Sequence, residues 1–204
     1  MGKHIVVIPG DGIGREVTDA AVEILKKTDE IYHLDFTYEW KDAGGTAYDK
    51  YGVPLPEETV NACRRGDGIL FGAVGGDQWD HLEPSLRPEK AILGLRKSLG
   101  LYVNLRPVKI QDSMIEYSPL KPEIARGTDI MIVRELVGGI YFGKRCESEF
   151  KDGVERAWDV ESYSVPEVER ITRFAMEAAR KRHGHVTSVD TTNVLASSRL
   201  WRRP

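Results

Sequence analysis

The chain has 204 residues, with 29 Lys and Arg against 32 Asp and Glu, which gives a formal net charge of -3. This length can bury a sizeable core in one or two domains, and 41% hydrophobic with 30% charged residues is an ordinary globular composition. These figures argue against disorder of the whole chain and against a dedicated nucleic-acid binder, which usually carries a basic face. The sequence shows neither the run of ~20 apolar residues that a membrane span needs nor a signal peptide, and Cys63 and Cys146 lie far apart. We therefore expect a cytoplasmic protein with two free thiols, no membrane contact and no nucleic-acid partner.

Hydrophobic periodicity predicts alternating strands and helices in the first half of the chain. Residues 4–9 are a short β-branched run typical of a buried strand, residues 10–14 break it, and residues 15–27 carry apolar side chains at helical spacing. A strand, a glycine turn and a helix in this order predict the opening of an α/β unit. The pattern continues with strands near 34–40 and 68–74, helices near 56–65 and 88–99, and an extended segment at 101–108.

The second half predicts more exposed structure. Ser164 and Glu167 fit a capping box at the start of a helix that runs to about residue 182. The other predicted elements are a buried strand at 129–134, partly exposed antiparallel strands at 138–149 and 155–164, a strand at 185–190 and a helix from residue 193. Because that last helix has barely begun where the chain stops, we expect a C-terminal truncation.

The turn at residues 10–14 reads Gly-Asp-Gly-Ile-Gly. The dinucleotide-binding fingerprint G-x-G-x-x-G would need its third glycine at Arg15, so the spacing fails. The pattern favours a tight turn between strand and helix over a pyrophosphate cradle.

Arginines stand beside structured segments rather than in a charge run. Arg96 falls on a predicted helix, whereas Arg106 and Arg134 fall at strand ends. Guanidinium groups in such places can converge on a small polyanion and bind its carboxylates bidentately. The alternative is that they are solvated or salt-bridged, although an unpaired charge after the apolar run before Arg134 would be costly.

Polar and aromatic side chains mark three further places. Tyr141 lies among glycines, where its phenol could act as an acid or its ring could be packed in a hairpin. His183 and His185 lack a third ligand and do not predict a metal site. Asp190, with the polar residues 191–193 after it, forms either a functional cluster or helix caps. From the residues alone we predict an α/β enzyme that binds a small acid.

Five runs, spread in order from residue 5 to residue 203, span essentially the whole chain. They are IVVIPGDGIGREV (5–17), GAVGGDQWD (72–80), LRPEKAILGLRKSLGLYVNLRPVK (86–109), DIMIVRELVGGIYFG (129–143) and VTSVDTTNVLASSRLWRR (186–203). These runs resemble the isocitrate/isopropylmalate dehydrogenase family of β-decarboxylating dehydrogenases. The resemblance implies an α/β, isopropylmalate dehydrogenase-like two-domain fold that is incomplete at the C-terminus. Residues 1–108 would be the N-terminal part of the larger domain and residues 109–204 the smaller domain, with a dimerisation arm near 138–164.

The resemblance also implies an activity, namely NAD-dependent oxidation of a (2R,3S)-2-hydroxy acid and decarboxylation of the oxo intermediate, with Mg²⁺ or Mn²⁺ polarising the hydroxyl. Arg96, Arg106 and Arg134 would bind the carboxylates of a 2-hydroxy dicarboxylate. Tyr141 would protonate the enolate after CO₂ leaves. Ile13 and Asn193 would contact the nicotinamide end of NAD.

By the same resemblance, a second set of residues would select the substrate. The variable substituent would face Glu89, Ile92 and Leu93, with Val194 contributed by the partner subunit of a homodimer. The aliphatic pair favours an isopropyl group, whose burial is worth ~0.8 kcal/mol per CH₂. We therefore expect 3-isopropylmalate as substrate and a place in leucine biosynthesis, with homoisocitrate, D-malate or tartrate as alternatives.

The chain departs from the family in two ways. Thr191 stands where the family has the lysine that takes the hydroxyl proton, and a threonine hydroxyl has no useful pKa near neutrality. The chain also stops before the family's metal-binding aspartates and its adenosine-binding segment, so we expect no metal ligand within it. A non-catalytic truncated subunit is therefore the alternative function.

Overall fold

The computed structural model describes residues 2–203 and divides into two compact units, Met1–Gly100 and Leu101–Pro204. Each unit combines helices with a small sheet, which confirms the expected α/β class. The domain boundary expected at residue 108 falls inside a strand of the second unit, because that strand pairs along its whole length with a later one. None of the helices within residues 2–203 is both long and apolar enough to cross a membrane.

A three-stranded parallel sheet organises the first unit. Its strands are β1 (His4–Gly10), β2 (Thr37–Trp40) and β3 (Gly68–Ala73), in the spatial order β2-β1-β3. Its helices are α1 (Ile13–Tyr32), α2 (Gly45–Tyr51), α3 (Glu57–Arg65) and α4 (Glu89–Leu99), with a 3₁₀ turn at Asp77–Trp79. The predicted strand, glycine turn and helix at the start of the chain are therefore confirmed, whereas α2 was not predicted from the sequence.

Side chains alternate across β1 and bury both faces of the sheet. Val6, Val7 and Ile8 are all fully buried. Val6 and Ile8 pack into a core with residues of α3 and α4, while α1 packs against β1 and β3 through its own buried side chains. Since successive side chains of a strand point to opposite faces, α1 covers the face of Val7. Burial on both faces explains why β1 is an uninterrupted apolar run.

The second unit contains two antiparallel strand pairs and three helices. β4 (Val103–Lys109) pairs with β5 (Asp129–Glu135), and β6 (Arg145–Lys151) pairs with β7 (Val154–Asp159). The helices are α5 (Pro122–Ala125), α6 (Val165–Arg180) and α7 (Ala196–Trp201), and Asp112–Tyr117 is a 3₁₀ helix. The capping box predicted at Ser164 and Glu167 is present at the start of α6.

Three predictions for the second unit are wrong. The strand expected at 138–149 begins only at Arg145, because the preceding glycine-rich residues form a turn in which Gly139 has a φ of 80°. The strand at 129–134 exists but is not buried, because α6 packs on only one of its faces and the other face leaves Ile130 54% and Ile132 47% exposed. Residues 185–190 form no strand in the described part of the chain. A strand needs a neighbouring strand for its backbone hydrogen bonds, and no other strand of the described residues pairs with this segment.

Candidate functional site

Helix α4 carries four of the expected substrate residues on one face. Glu89, Ile92, Leu93 and Arg96 follow the spacing i, i+3, i+4, i+7, which places them in one stripe of the helix. Ala91 and Leu95 are buried in the core of the unit, whereas Ile92 and Leu93 are only half-buried and Glu89 is exposed. The stripe therefore offers an accessible aliphatic pair between an acidic and a basic side chain.

A buried carboxylate organises the carboxyl edge of the parallel sheet. Asp11 is only 2% exposed, and its side-chain oxygens accept hydrogen bonds from the backbone N–H groups of Gly45 (2.8 Å), Thr46 (2.7 Å) and Gly75 (2.9 Å). Gly45 and Thr46 are the first residues of α2, which follows β2, Gly75 lies in the loop after β3, and Asp11 itself follows β1. The carboxyl edge is where open α/β sheets bind their ligands. Sequence reasoning missed this role, although an acidic residue between glycines at a strand end was a usable signal.

Two expected site residues lie at this edge. Ile13 begins α1 directly after the glycine turn, and its side chain is 61% exposed and accessible to a ligand. Glu89 lies beside the loop that Asp11 holds, since a Cβ atom placed at Gly75 would be 3.1 Å from its Oε1. The first unit therefore brings a residue expected to contact the cofactor and a residue expected to contact the substrate to the edge of the sheet that Asp11 organises.

The second unit brings two arginines to the open face of the β4–β5 pair. Asn104 lies opposite Arg134, and Arg106 lies opposite Ile132. Arg106 and Arg134 are therefore diagonal neighbours on the same face. The Arg106 Nε donates a hydrogen bond to Asn104 Oδ1 at 2.9 Å. Both guanidinium groups are accessible, and the pair forms a cationic surface suited to carboxylates.

Tyr141 completes this surface. The Arg134 guanidinium carbon lies 5.3 Å from the centroid of the Tyr141 ring, within cation–π range, and the tyrosine is 56% exposed. The alternative of a ring packed inside a hairpin is therefore wrong, because most of the side chain faces solvent. Arg96 belongs to the first unit and Arg106 with Arg134 to the second, so the convergence of all three arginines stays a prediction.

The segment before α7 contains the remaining expected residues. Asn193 and Val194 are exposed in a turn, and the backbone N–H of Thr191 donates to Ser198 Oγ at 3.2 Å. Asp190 is bound by Arg202 Nε at 2.9 Å and accepts the backbone N–H of Thr192 at 3.1 Å. The hydrogen bond from Arg202 holds the pKa of Asp190 below its ordinary value. The N-cap of α7 is Leu195, so the interpretation of residues 190–193 as helix caps is wrong, and a functional role of the cluster stays a prediction.

Metal-binding chemistry has little support in this part of the protein. Within residues 2–203, no group of three or more His, Cys, Asp and Glu side chains is arranged to hold a metal ion. Cys63 is buried, Cys146 is half-buried, and both are free thiols, as predicted. Burial raises the pKa of the Cys63 thiol, which keeps it protonated and a poor ligand. The described residues do not fit the Mg²⁺ or Mn²⁺ that the resemblance implies.

Comparisons with known proteins agree with one another. Residues 4–204 match the family described as isocitrate/isopropylmalate dehydrogenase. The chain is 54% identical over 203 residues to the 3-isopropylmalate dehydrogenase of Bacillus caldotenax, covering 99% of this chain and 55% of that relative. It is also 54% identical over 200 residues to the same enzyme of Clostridium pasteurianum, covering 98% of this chain and 56% of that relative.

Solved structures give the same result. The structure is similar to a β-decarboxylating dehydrogenase from Thermococcus kodakarensis, with a TM-score of 0.70 and 37% identity over 98% of this chain and 52% of that one. It is also similar to an isocitrate dehydrogenase from Methylococcus capsulatus, with a TM-score of 0.74 and 28% identity over 98% of this chain and 55% of that one. The chain spans about half the length of the curated relatives it matches.

Proposed function

Since the chain belongs to the isocitrate/isopropylmalate dehydrogenase family, we propose that it takes part in the NAD-dependent oxidative decarboxylation of 3-isopropylmalate, a step of leucine biosynthesis. The observation that carries this proposal is the stripe of α4, where Ile92 and Leu93 lie between Glu89 and Arg96. A helical turn rises about 5.4 Å, a distance comparable with a small branched dicarboxylate. The stripe can therefore contact an isopropyl group and a carboxylate of one substrate molecule.

Charge complementarity supports a dicarboxylate substrate. Arg106 and Arg134 share the open face of the β4–β5 pair, and Arg106 is oriented by Asn104. A planar guanidinium can bind a carboxylate through two parallel hydrogen bonds, which a lysine cannot do. In the proposed reaction these arginines bind and orient the carboxylates of the malate group.

The aliphatic pair supports the choice of 3-isopropylmalate over other 2-hydroxy acids. Ile92 and Leu93 are half-buried, so they retain apolar surface for a ligand. Burying an isopropyl group there gains ~0.8 kcal/mol per CH₂, whereas a third carboxylate, as in isocitrate, would lose hydration without a polar partner.

Tyr141 and two cofactor-contact residues supply the remaining parts. Bound NAD would accept the hydride released when the substrate hydroxyl is oxidised. Ile13 offers an exposed apolar surface and Asn193 an exposed amide, which suit the nicotinamide ring and its carboxamide. Tyr141 Oη would donate the proton to the carbon that has lost CO₂, and the Arg134 guanidinium beside the ring would stabilise the phenolate that forms. No step is assigned to a metal, because the described residues do not fit one.

A homodimer is the proposed assembly. All residues of β7 are exposed, and an isolated two-stranded hairpin is marginally stable in water at best. Packing of the β6–β7 hairpin against a second copy of the chain would cover it, and Val194 would then reach the partner's site. The free thiols suit a reducing cytoplasm.

The substrate assignment is tested by measuring NADH formation spectrophotometrically. The protein is expressed with any coding sequence that continues in frame after residue 204 and is offered 3-isopropylmalate, isocitrate, homoisocitrate, D-malate and tartrate in parallel. We expect the highest kcat/KM with 3-isopropylmalate. Faster turnover of any other acid would overturn the substrate, and Ile92→Ser should reduce the preference for 3-isopropylmalate over D-malate.

Thr191 favours a second candidate function, a subunit that binds or assembles without catalysing. A threonine hydroxyl cannot act as the general base at neutral pH, and the loss of such a base typically costs ~10²–10⁴ in rate. This candidate predicts no NADH formation with any of the five acids while 3-isopropylmalate still binds, as measured by calorimetry. Turnover at rates typical of enzymes would exclude it.

A further inference from the structure

A second buried carboxylate lies next to the cationic surface of the second unit. Glu135 ends β5 directly after Arg134, and its side chain is 1% exposed. Its Oε2 accepts the backbone N–H groups of Val137 (2.8 Å) and Gly138 (2.6 Å), and its Oε1 accepts a hydrogen bond from Arg170 of α6. All of these partners belong to the second unit. Such a carboxylate is costly to bury unless it has a fixed set of donors.

The donors around Glu135 hold one end of the turn at 136–143. Tyr163 lies against the middle of the turn, since a Cβ atom placed at Gly139 would be 2.4 Å from the Tyr163 hydroxyl oxygen. The Gly139 N–H donates to Ser162 O at 2.9 Å, and Arg145 donates to the carbonyl of Tyr141 at 2.8 Å. The turn is therefore fixed at its start, its middle and its end.

Arg170 is itself held in place. Its guanidinium carbon lies 4.8 Å from the centroid of the Tyr102 ring, and Tyr102 O accepts the backbone N–H of Leu136 at 2.9 Å. The cation that neutralises Glu135 is thus packed against the residue that also anchors the first residue of the turn. Glu135, Arg170 and Tyr102 therefore form one cluster of contacts, and the Glu135 side chain points to the face of β5 opposite to Arg134.

We propose that Glu135 is a positioning residue: by fixing the turn that leads to Tyr141, it sets the place of the tyrosine ring against the Arg134 guanidinium. Arg134 precedes Glu135 on the strand and Tyr141 lies in the turn that Glu135 holds at its start, so the carboxylate is the covalent and hydrogen-bonded link between them. The catalytic consequence rests on the proposed function, whereas the positioning itself does not.

The test is a spectroscopic one on the 204-residue chain. A proton held over an aromatic face is shifted upfield, so the Arg134 side-chain protons should carry a shift that Tyr141→Leu abolishes. Glu135→Gln keeps the shape of the side chain but leaves only one acceptor oxygen, which the charged Arg170 takes, so the amide protons face the N–H groups of Val137 and Gly138. The turn then loses its acceptor, and we expect the Arg134 shift to be lost while the amides of α6 stay protected from exchange. The matched control Glu147→Gln, at an exposed carboxylate of β6, should leave the shift unchanged.

A second pair of variants covers the case in which Glu135→Gln does not fold. Gly139→Ala disturbs the middle of the turn without touching the buried charge, whereas Gly153→Ala has a similar positive φ (78° against 80°) but open space around it. We expect the Arg134 shift to be lost in Gly139→Ala and kept in Gly153→Ala. A wild-type shift in a folded Glu135→Gln or Gly139→Ala variant would overturn the proposal.

The outcome for the positioning role is separable from the outcome for the proposed function. Loss of the shift in a protein that turns over none of the five acids supports the positioning role and counts against the function. Where turnover is measured, Glu135→Gln should lower kcat more than it raises KM for 3-isopropylmalate, since Tyr141 acts after the substrate has bound. An unchanged kcat together with a lost shift would confine the proposal to structure and overturn its catalytic part.

Discussion

Asp11 shows how much one side chain can organise. Three backbone N–H groups, two at the start of α2 and one in the loop after β3, donate to its carboxylate, and Gly44 approaches so closely that a Cβ atom there would lie 2.4 Å from Asp11 Oδ2. The donors come from residues far along the chain, so this carboxylate joins the ends of all three strands of the sheet. A buried carboxylate surrounded by donors is stabilising as a set and costly to remove singly.

We expect Asp11→Ala to lower the free energy of unfolding by about 3–5 kcal/mol, because three buried N–H groups lose their acceptor. Asp11→Asn retains an acceptor oxygen and should cost about half as much. Urea denaturation followed by circular dichroism measures both variants. Asp19→Ala, an exposed aspartate of α1, is the control and should change stability by less than about 0.5 kcal/mol. Equal effects of Asp11→Ala and Asp19→Ala would contradict the role given to Asp11.

The side chain at position 191 matters for its ability to accept a proton, and not for the contacts it makes. In the protein expressed with any in-frame continuation, Thr191→Lys should raise kcat for 3-isopropylmalate by about 10²–10⁴, because an amine can take the hydroxyl proton and a threonine hydroxyl cannot. NADH formation at several pH values measures the gain. Thr192→Lys places the same amine one residue further along and should give no gain. A wild-type rate in Thr191→Lys would show that this position does not supply the base.

At the scale of elements, the contact between α1 and β3 depends on glycine. A Cβ atom placed at Gly72 would lie 2.2 Å from Pro9 O and 2.5 Å from Thr18 Oγ1, so the helix lies against the bare backbone of the strand. Residues such as Ile69 and Phe71 supply the side chains for the opposite face, which packs on α3 and α4. The sequence predicted both elements from periodicity, but periodicity does not say how closely they approach.

Gly72→Ala should therefore destabilise the first unit by about 3 kcal/mol, since neither the Pro9 carbonyl nor the packed helix can yield easily. The matched variant is Gly68→Ala in the same strand, where open space surrounds the added methyl group, and it should stabilise by about 0.5 kcal/mol. Thermal and urea unfolding of the two variants give the comparison. Similar stabilities would mean that α1 can move away from β3 at little cost.

At the scale of the whole molecule, four carboxylates make the free energy of unfolding depend on pH in the acid range. The pKa of Asp67 is held below its ordinary value by the backbone N–H of His4 and by Lys3, and that of Glu39 by its hydrogen bonds with His4 and Lys41. In the second unit, Arg182 lowers the pKa of Asp129 and Arg202 that of Asp190.

A folded-state pKa below the unfolded value means that the unfolded chain binds protons first. The four carboxylates therefore stabilise the folded chain at pH values above the ordinary carboxyl pKa. This stabilisation is lost as the pH falls through their folded-state pKa values, below about pH 4. We expect the urea midpoint to fall steeply there, and Asp129→Asn to flatten this acid limb because its group no longer titrates. Asp152→Asn, at an exposed turn residue, should leave the slope unchanged, and an equally steep limb in Asp129→Asn would refute the assignment.

Local patterns were sufficient for most elements. The β-branched run of β1, the helical spacing of α1 and α4 and the capping box of α6 depend on residues close together in the chain, so the sequence alone predicted them. The family followed from long ordered matches, and the substrate residues expected on α4 followed from the resemblance to that family. The strand predicted at residues 185–190 is absent from the structure because a strand also needs a neighbouring strand, and no local pattern supplies one.

By itself, the sequence determined the α/β class, the family and the residue types available for binding a small dicarboxylate. Only the tertiary structure decided that Asp11 joins the loops at the sheet edge, that Glu135 holds the turn before Tyr141, and that Arg106 and Arg134 share an open face. The physical reason is that the donors to a buried carboxylate, and the residues that a strand pairs with, come from parts of the chain that are distant in sequence. Those pairings depend on packing and desolvation of the folded chain, which periodicity and composition do not encode.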